Sequence, residues 1–179
     1  MNMYRTSCYH NQWYNQMYNN WNPYYYYWNN YSRNPYYVNT RVTDYGAKPF
    51  VVNIEKATEQ NNNYRTALWT GQKLQVTLMS INVGEDIGLE VHPTTDQFIR
   101  IEEGQGLVQM GDSKDTLNFQ EMAYDDYAIM IPAGKWHNIT NVGNKPLKIY
   151  SIYAPPEHPY GTIHETKAMA IAAEAGRYY

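Results

Sequence analysis

A chain of 179 residues has room for one hydrophobic core, which makes one domain with an appendage the expectation. A formal net charge of -3 from 14 basic and 17 acidic residues, with no basic cluster interleaved with aromatics, argues against nucleic acid as a partner. Its single cysteine, Cys8, rules out an internal disulfide and a cysteine-rich zinc finger.

No apolar run approaches the ~18 residues of a membrane span, and the first residues lack the apolar stretch of a secretory signal. No membrane contact and no export by the usual route are therefore expected. Residues 1–40 form a low-complexity tail: eleven of the 20 tyrosines lie there, Arg5 and Arg33 are its only cations, and it holds no Asp or Glu. Runs such as YYYYWNNYSRNPYY have no period of 2.0 or 3.6 and almost no aliphatic residues, so the tail cannot offset its ordering entropy and is expected to be disordered. Stacking tyrosines and Asn ladders would make it an adhesive arm for self-assembly; an extension without a role is the alternative.

Residues 41–179, with 12 basic against 17 acidic residues, read as the folded domain. KLQVTLMSINV, FIRIEE, GLVQMG, YAIMIPAG and LKIYSIYAPP alternate or run apolar, each bounded by Gly, Pro, Asp or Asn. Regular short strands with turn signals predict an all-β barrel or sandwich over about residues 42–155. Thr162-Ile-His-Glu165 reads as a capping box opening a helix over 163–175, with Gly176 as its C-cap glycine.

Within GLEVHPTTDQFIRIEEGQG, Glu90 and His92 stand two apart, so on a strand they project to one face. Pro93 ends that strand, and Gln97, Ile99 and Ile101 share a face of the next. A second imidazole, His137, follows the Pro132-x-Gly134 turn and precedes Asn141.

These residues resemble the cupin family, whose motifs read G-x5-H-x-H-x4-E-x6-G and G-x5-P-x-G-x2-H-x3-N. Gly84 leads the first motif, Glu90 and His92 stand at its histidine positions, Gln97 at its glutamate position and Gly104 closes it. In the second, Asp126 replaces the leading glycine, while Pro132, Gly134, His137 and Asn141 match. The resemblance implies a double-stranded β-helix, or jelly-roll barrel, with Glu90, His92, Gln97 and His137 as metal ligands. Two imidazoles and one carboxylate suit a divalent Fe, Mn or Zn ion and leave open positions, and Gln97 adds a neutral oxygen. Asp96 is a reserve ligand.

The other histidines, His158 and His164, are expected to be solvated or capping, and Tyr124 and Tyr127 to pack. Lys135 either holds an anionic ligand or lies on the surface. Exposed sheet edges imply a homodimer, and a small molecule such as a sugar is the expected ligand. The tail's composition is similar to that of structural coat proteins of bacterial spores, which implies a spore-coat location; a cytoplasmic one is the alternative. Three functions stay open: a metal-binding protein displayed through its tail, a metal-dependent sugar isomerase or dioxygenase, and a non-catalytic binder of a neutral ligand.

Overall fold

The structure, a computed structural model, describes residues 42–175. The low-complexity tail with Cys8, and Gly176, lie outside these residues. In chain order the elements are α1 (Ile54–Gln60), β1 (Arg65–Thr70), β2 (Gln75–Ile81), β3 (Asp96–Glu103), β4 (Gln105–Gly111), β5 (Phe119–Tyr124), β6 (Ala128–Ile131), β7 (Trp136–Asn141), β8 (Leu147–Ala154), β9 (Ile163–His164) and α2 (Lys167–Ala175). Every strand pairing is antiparallel. Six strands form one sheet in the order β6-β3-β8-β2-β1-β9, and three form the other in the order β5-β4-β7. This is the all-β architecture that the strand pattern predicts, in the jelly-roll form that the family resemblance implies, with a short C-terminal helix.

The period of two explains which faces close. Along β7, His137, Ile139 and Asn141 are buried while the residues between them are half-buried, which puts the imidazole on the inward face. Ile99 and Ile101 of β3, Leu147 and Ile149 of β8, Met79 and Ile81 of β2 and Val108 of β4 share one core with Ile139 of β7. Each large aliphatic side chain fully withdrawn from water contributes about 1.5–3 kcal/mol. Beside this apolar part the interior turns polar, with Arg65, Thr77, Gln97, Ser151 and Tyr153 all buried.

Three features depart from the sequence reading. First, α1 lies where only strands were expected: Asn53 Oδ1 accepts from Lys56 N at 3.0 Å and caps it, and seven residues are too few to show a helical period. Second, α2 begins at Lys167, not Ile163. Ile163 and His164 instead pair with Thr66 and Arg65 as β9, and the cap is Thr166, whose Oγ1 accepts from Met169 N at 3.3 Å. The Thr162 hydroxyl is engaged elsewhere, donating to Pro159 O at 2.8 Å.

Third, the segment carrying Glu90 and His92 is not a regular strand. Gly84 and Gly88 take φ of +78° and +91°, conformations that side chains disfavour, and these break its ladder. The segment still runs antiparallel to β7 through separate bridges, Asp86 to Thr140 and Glu90 to His137.

Candidate metal centre

The bridge between Glu90 and His137 builds the site. Their backbones exchange two hydrogen bonds, Glu90 N to His137 O at 3.0 Å and His137 N to Glu90 O at 2.9 Å. His92 is fixed two residues on, where its carbonyl accepts from Gly134 N at 2.9 Å. The Pro132–Gly134 turn therefore holds one histidine through its backbone and delivers the other at the start of β7. Asn141 explains its own place in the pattern: its amide donates to Ile81 O and Lys145 O, both at 2.9 Å, and its Oδ1 accepts from Gly143 N at 2.9 Å. That ties the end of β7 to β2 and to the following turn.

Asp126, at the position of the second motif's leading glycine, has φ +69°. The left-handed turn is thus kept by an aspartate, one of the residues that tolerates it best.

One ligand atom each from Glu90, His92 and His137 lies within 4.8 Å of the other two. Glu90 Oε1 is 3.4 Å from His92 Nε2 and 3.4 Å from His137 Nε2. The two imidazole rings are 5.4 Å apart at 57°. None of these three buried atoms makes a directed hydrogen bond within the protein. Each buried polar atom left this way costs about 1–3 kcal/mol, a large share of the roughly 5–15 kcal/mol that stabilises a domain. Ligand atoms bonded to a common ion at ~2.1 Å and near the tetrahedral angle stand ~3.4 Å apart. The donor set, the convergence and the spacing all fit a divalent cation.

The other nitrogen of each ring is engaged as such a site requires. His137 Nδ1 is 2.9 Å from Lys135 O, an acceptor that places the proton on Nδ1 and leaves Nε2 its lone pair. His92 Nδ1 is 3.4 Å from Glu157 Oε1. On the far side of Glu90, Oε2 is 3.8 Å from Nη2 of Arg65, which is 1% exposed and also meets Glu174 Oε1 of α2 at 2.8 Å.

These neighbours set the charges. Burial would raise the Glu90 carboxyl, but the close contacts with the His137 and His92 rings and the Arg65 charge outweigh it and hold Glu90 far below the usual carboxylate range. Burial likewise works against protonated His92, yet Glu157 and Glu90 on either side push it up to about 9. Glu157 is lowered: burial opposes this, and the contacts with His92 and Thr95 prevail.

Gln97 is 3% exposed, and its Oε1 makes no hydrogen bond within the protein. It pairs across the sheet with Tyr153, whose ring lies 5.6 Å from that of His92. The structure thus brings Glu90, His92 and His137 together and buries Gln97 in the interior on the strand pair it shares with Tyr153. Asp96, the reserve ligand, is exposed and accepts from Ala133 N at 2.9 Å, so it caps the turn. Lys135 pairs with Asp112 at the surface. Tyr124 and Tyr127 pack on one another with ring centroids 5.5 Å apart.

His158 departs from expectation. It is 6% exposed, and its ring lies 5.1 Å from Tyr153. Sequence reasoning missed Arg65, Tyr153, Glu157 and Glu174. Arg65 and Glu174 belong to no motif; the nearest signal for Glu157 was the Pro155-Pro156 pair that turns the chain back after β8.

Comparison with known proteins agrees with this architecture. A cupin domain model matches residues 77–153. The uncharacterized protein YrkC of Bacillus subtilis (strain 168) is 68% identical over 136 residues, 76% of this chain and 73% of that protein. An uncharacterized protein of Acanthamoeba polyphaga mimivirus is 43% identical over 115 residues, 64% of this chain and 70% of that one. A crystal structure of a Bacillus halodurans protein, 69% identical, superposes with a TM-score of 0.73 and covers 73% of this chain and 99% of its own. The two motifs on a jelly roll, the matching domain model and these relatives agree, and the chain belongs to the cupin superfamily.

Proposed function

We propose that this cupin binds one divalent cation, Fe(II), Mn(II) or Zn(II), through Glu90, His92 and His137, with the Gln97 carbonyl as a fourth, neutral donor. One observation carries the reading: three buried ligand atoms from three residues converge without hydrogen-bond partners. A protein that kept this pocket for a neutral ligand would still hold Glu90 ionised at its centre, which burial alone disfavours. Two imidazoles and a carboxylate leave positions open, where a bound ion would polarise a carbonyl or orient a small oxygen-rich ligand. The chain's own contribution is positional: Lys135 O and Glu157 orient the rings, Arg65 balances Glu90, and the apolar core excludes water from one side.

A sugar isomerase or a dioxygenase uses such open positions, and either activity is the catalytic form of this proposal. The non-catalytic form is a metal-loaded barrel assembled through its Tyr/Asn-rich tail as a homodimer or larger array, in a spore coat or the cytoplasm. Its support is the tail composition, with eleven tyrosines and no acidic residue before Asp44. Equilibrium dialysis of chelator-treated protein against Fe(II), Mn(II) and Zn(II) tests the shared core of both forms. Saturable binding that disappears in the His92→Ala/His137→Ala double variant is expected; no saturable binding of any of the three contradicts it.

A further inference from the structure

We infer that Glu157 is the positioning residue for His92, selecting which ring nitrogen faces Glu90 and His137; the inference rests on the metal-centre reading above. A neutral imidazole carries one N–H, and the acceptor of that proton decides which nitrogen keeps a lone pair. For His137 the acceptor is Lys135 O, a backbone atom two residues back in the same turn. His92 has a different device. It lies in the connection before β3, outside any ladder, and its Nδ1 faces Glu157 Oε1 at 3.4 Å while Nε2 faces Glu90 Oε1 at 3.4 Å. Its ring is edge-on to Tyr153 at 86°, a contact that fixes the ring plane but cannot tell one nitrogen from the other. Glu90 is a carboxylate at the same distance from Nε2, but with an ion held between Glu90 and Nε2 the ring proton is left to Nδ1, and Glu157 is the acceptor there, since an ionised carboxylate accepts a proton and never donates one.

The connection that carries Glu157 is itself clamped. The fully buried side chain of Gln75 accepts from His158 N at 2.9 Å and donates to His158 O at 2.9 Å. These two bonds hold the neighbouring backbone to β2, so the carboxylate reaches His92 from a fixed base. Its side chain is 28% exposed, which places it at the rim of the site and on the opposite side of His92 from Glu90. The two imidazoles therefore depend on different parts of the molecule. His137 is set by its own turn, and His92 by the β8–β9 connection.

The test uses the full chain and Zn(II), which is diamagnetic. Competition with a chelator should show Glu157→Ala binding Zn(II) about 10–100-fold more weakly, the usual cost of losing an outer-shell partner. Glu157→Gln, which keeps an acceptor oxygen, should recover part of that loss. In the Zn-loaded parent and in Glu157→Gln, the His92 Nδ1–H proton should be visible by 1H–15N NMR; in Glu157→Ala it should broaden away through exchange. A role confined to loop packing would lower the melting temperature of both variants alike and leave affinity and the Nδ1–H signal untouched, and that result overturns the inference. If the parent itself takes up no Zn(II), the metal-centre reading fails and this inference with it. If the parent binds and Glu157→Ala binds equally well, only the role of Glu157 is lost.

Discussion

Glu90 and His137 meet twice, through a pair of backbone hydrogen bonds at 3.0 and 2.9 Å and through side-chain atoms 3.4 Å apart. The first contact does not depend on the second. Replacing the His137 imidazole should therefore leave the bridge, and the barrel, in place. His137→Ala should keep the far-ultraviolet circular dichroism of the parent and lose more than about 100-fold in metal affinity, since even an outer-shell partner is worth about 10–100-fold.

Arg65 is the group whose loss the metal-free barrel should tolerate least. It is 1% exposed and faces two carboxylates, Glu90 and Glu174. Removing one member of a buried ion pair costs about 3–5 kcal/mol because the other charge is left uncompensated. Arg65→Met should lower the urea stability of chelator-treated protein by about that amount, and Glu90→Gln in the same chain should restore part of it. A change below about 1 kcal/mol would mean that the Arg65–Glu90 contact contributes no more than a surface pair.

The pH response separates the metal-free and metal-loaded forms. His92 is raised from 6.5 to about 9 in the folded chain, so its protonated form stabilises the metal-free barrel. That contribution is complete below pH ~6.5 and is lost as pH rises through about 9. The loaded form runs the other way, because the ligand must be a neutral imidazole. Thermal melts across this window should show the chelated protein losing stability with rising pH while added Zn(II) stabilises it increasingly. Parallel pH curves with and without Zn(II) contradict the assignment of His92 as a ligand.

Gln97 tests the fourth donor. Its Oε1 is buried without a hydrogen bond in the protein, so Gln97→Leu removes a cost of about 1–3 kcal/mol and should make the metal-free protein more stable. The same change should weaken metal affinity if the carbonyl is a ligand. Unchanged affinity in the stabilised variant would show that Gln97 only lines the interior.

Much of this architecture is legible in the sequence. Alternation pointed to β2, β3, β4, β6 and β8 but not to β7, and the two spaced motifs located Glu90, His92 and His137, because turn residues such as Gly84, Pro132 and Gly134 sit at fixed offsets from them. What was hidden had physical reasons. Thr162-Ile-His-Glu165 satisfies the capping-box pattern, but pairing of Ile163 and His164 with β1 won over a local cap, and Thr166 took that role. Glu90 and His92 were read on a regular strand, whereas Gly84 and Gly88 break it into isolated bridges. Arg65, Glu157 and Glu174 reach the site from 25 residues before Glu90, 65 after His92 and the last helix. Such distant partners leave no mark in a local pattern.

The cap also yields a stability prediction. Thr166→Ala should destabilise α2 by about 0.5–2 kcal/mol, seen as faster amide exchange along 167–175, while Glu165→Ala should have no comparable effect. The reverse ranking would restore the capping box.

For the tail, replacing its eleven tyrosines with serine keeps length and polarity while removing the rings. Reduced self-association by light scattering, with metal affinity unchanged, is expected because many weak contacts act together. Equal self-association would remove the tail from any account of assembly.

The most direct test of the central claim is elemental analysis of the full chain purified without an affinity metal. The account predicts Fe, Mn or Zn at about one ion per chain, absent from the His92→Ala/His137→Ala double variant that still folds. Equal metal content in the parent and the double variant would contradict it.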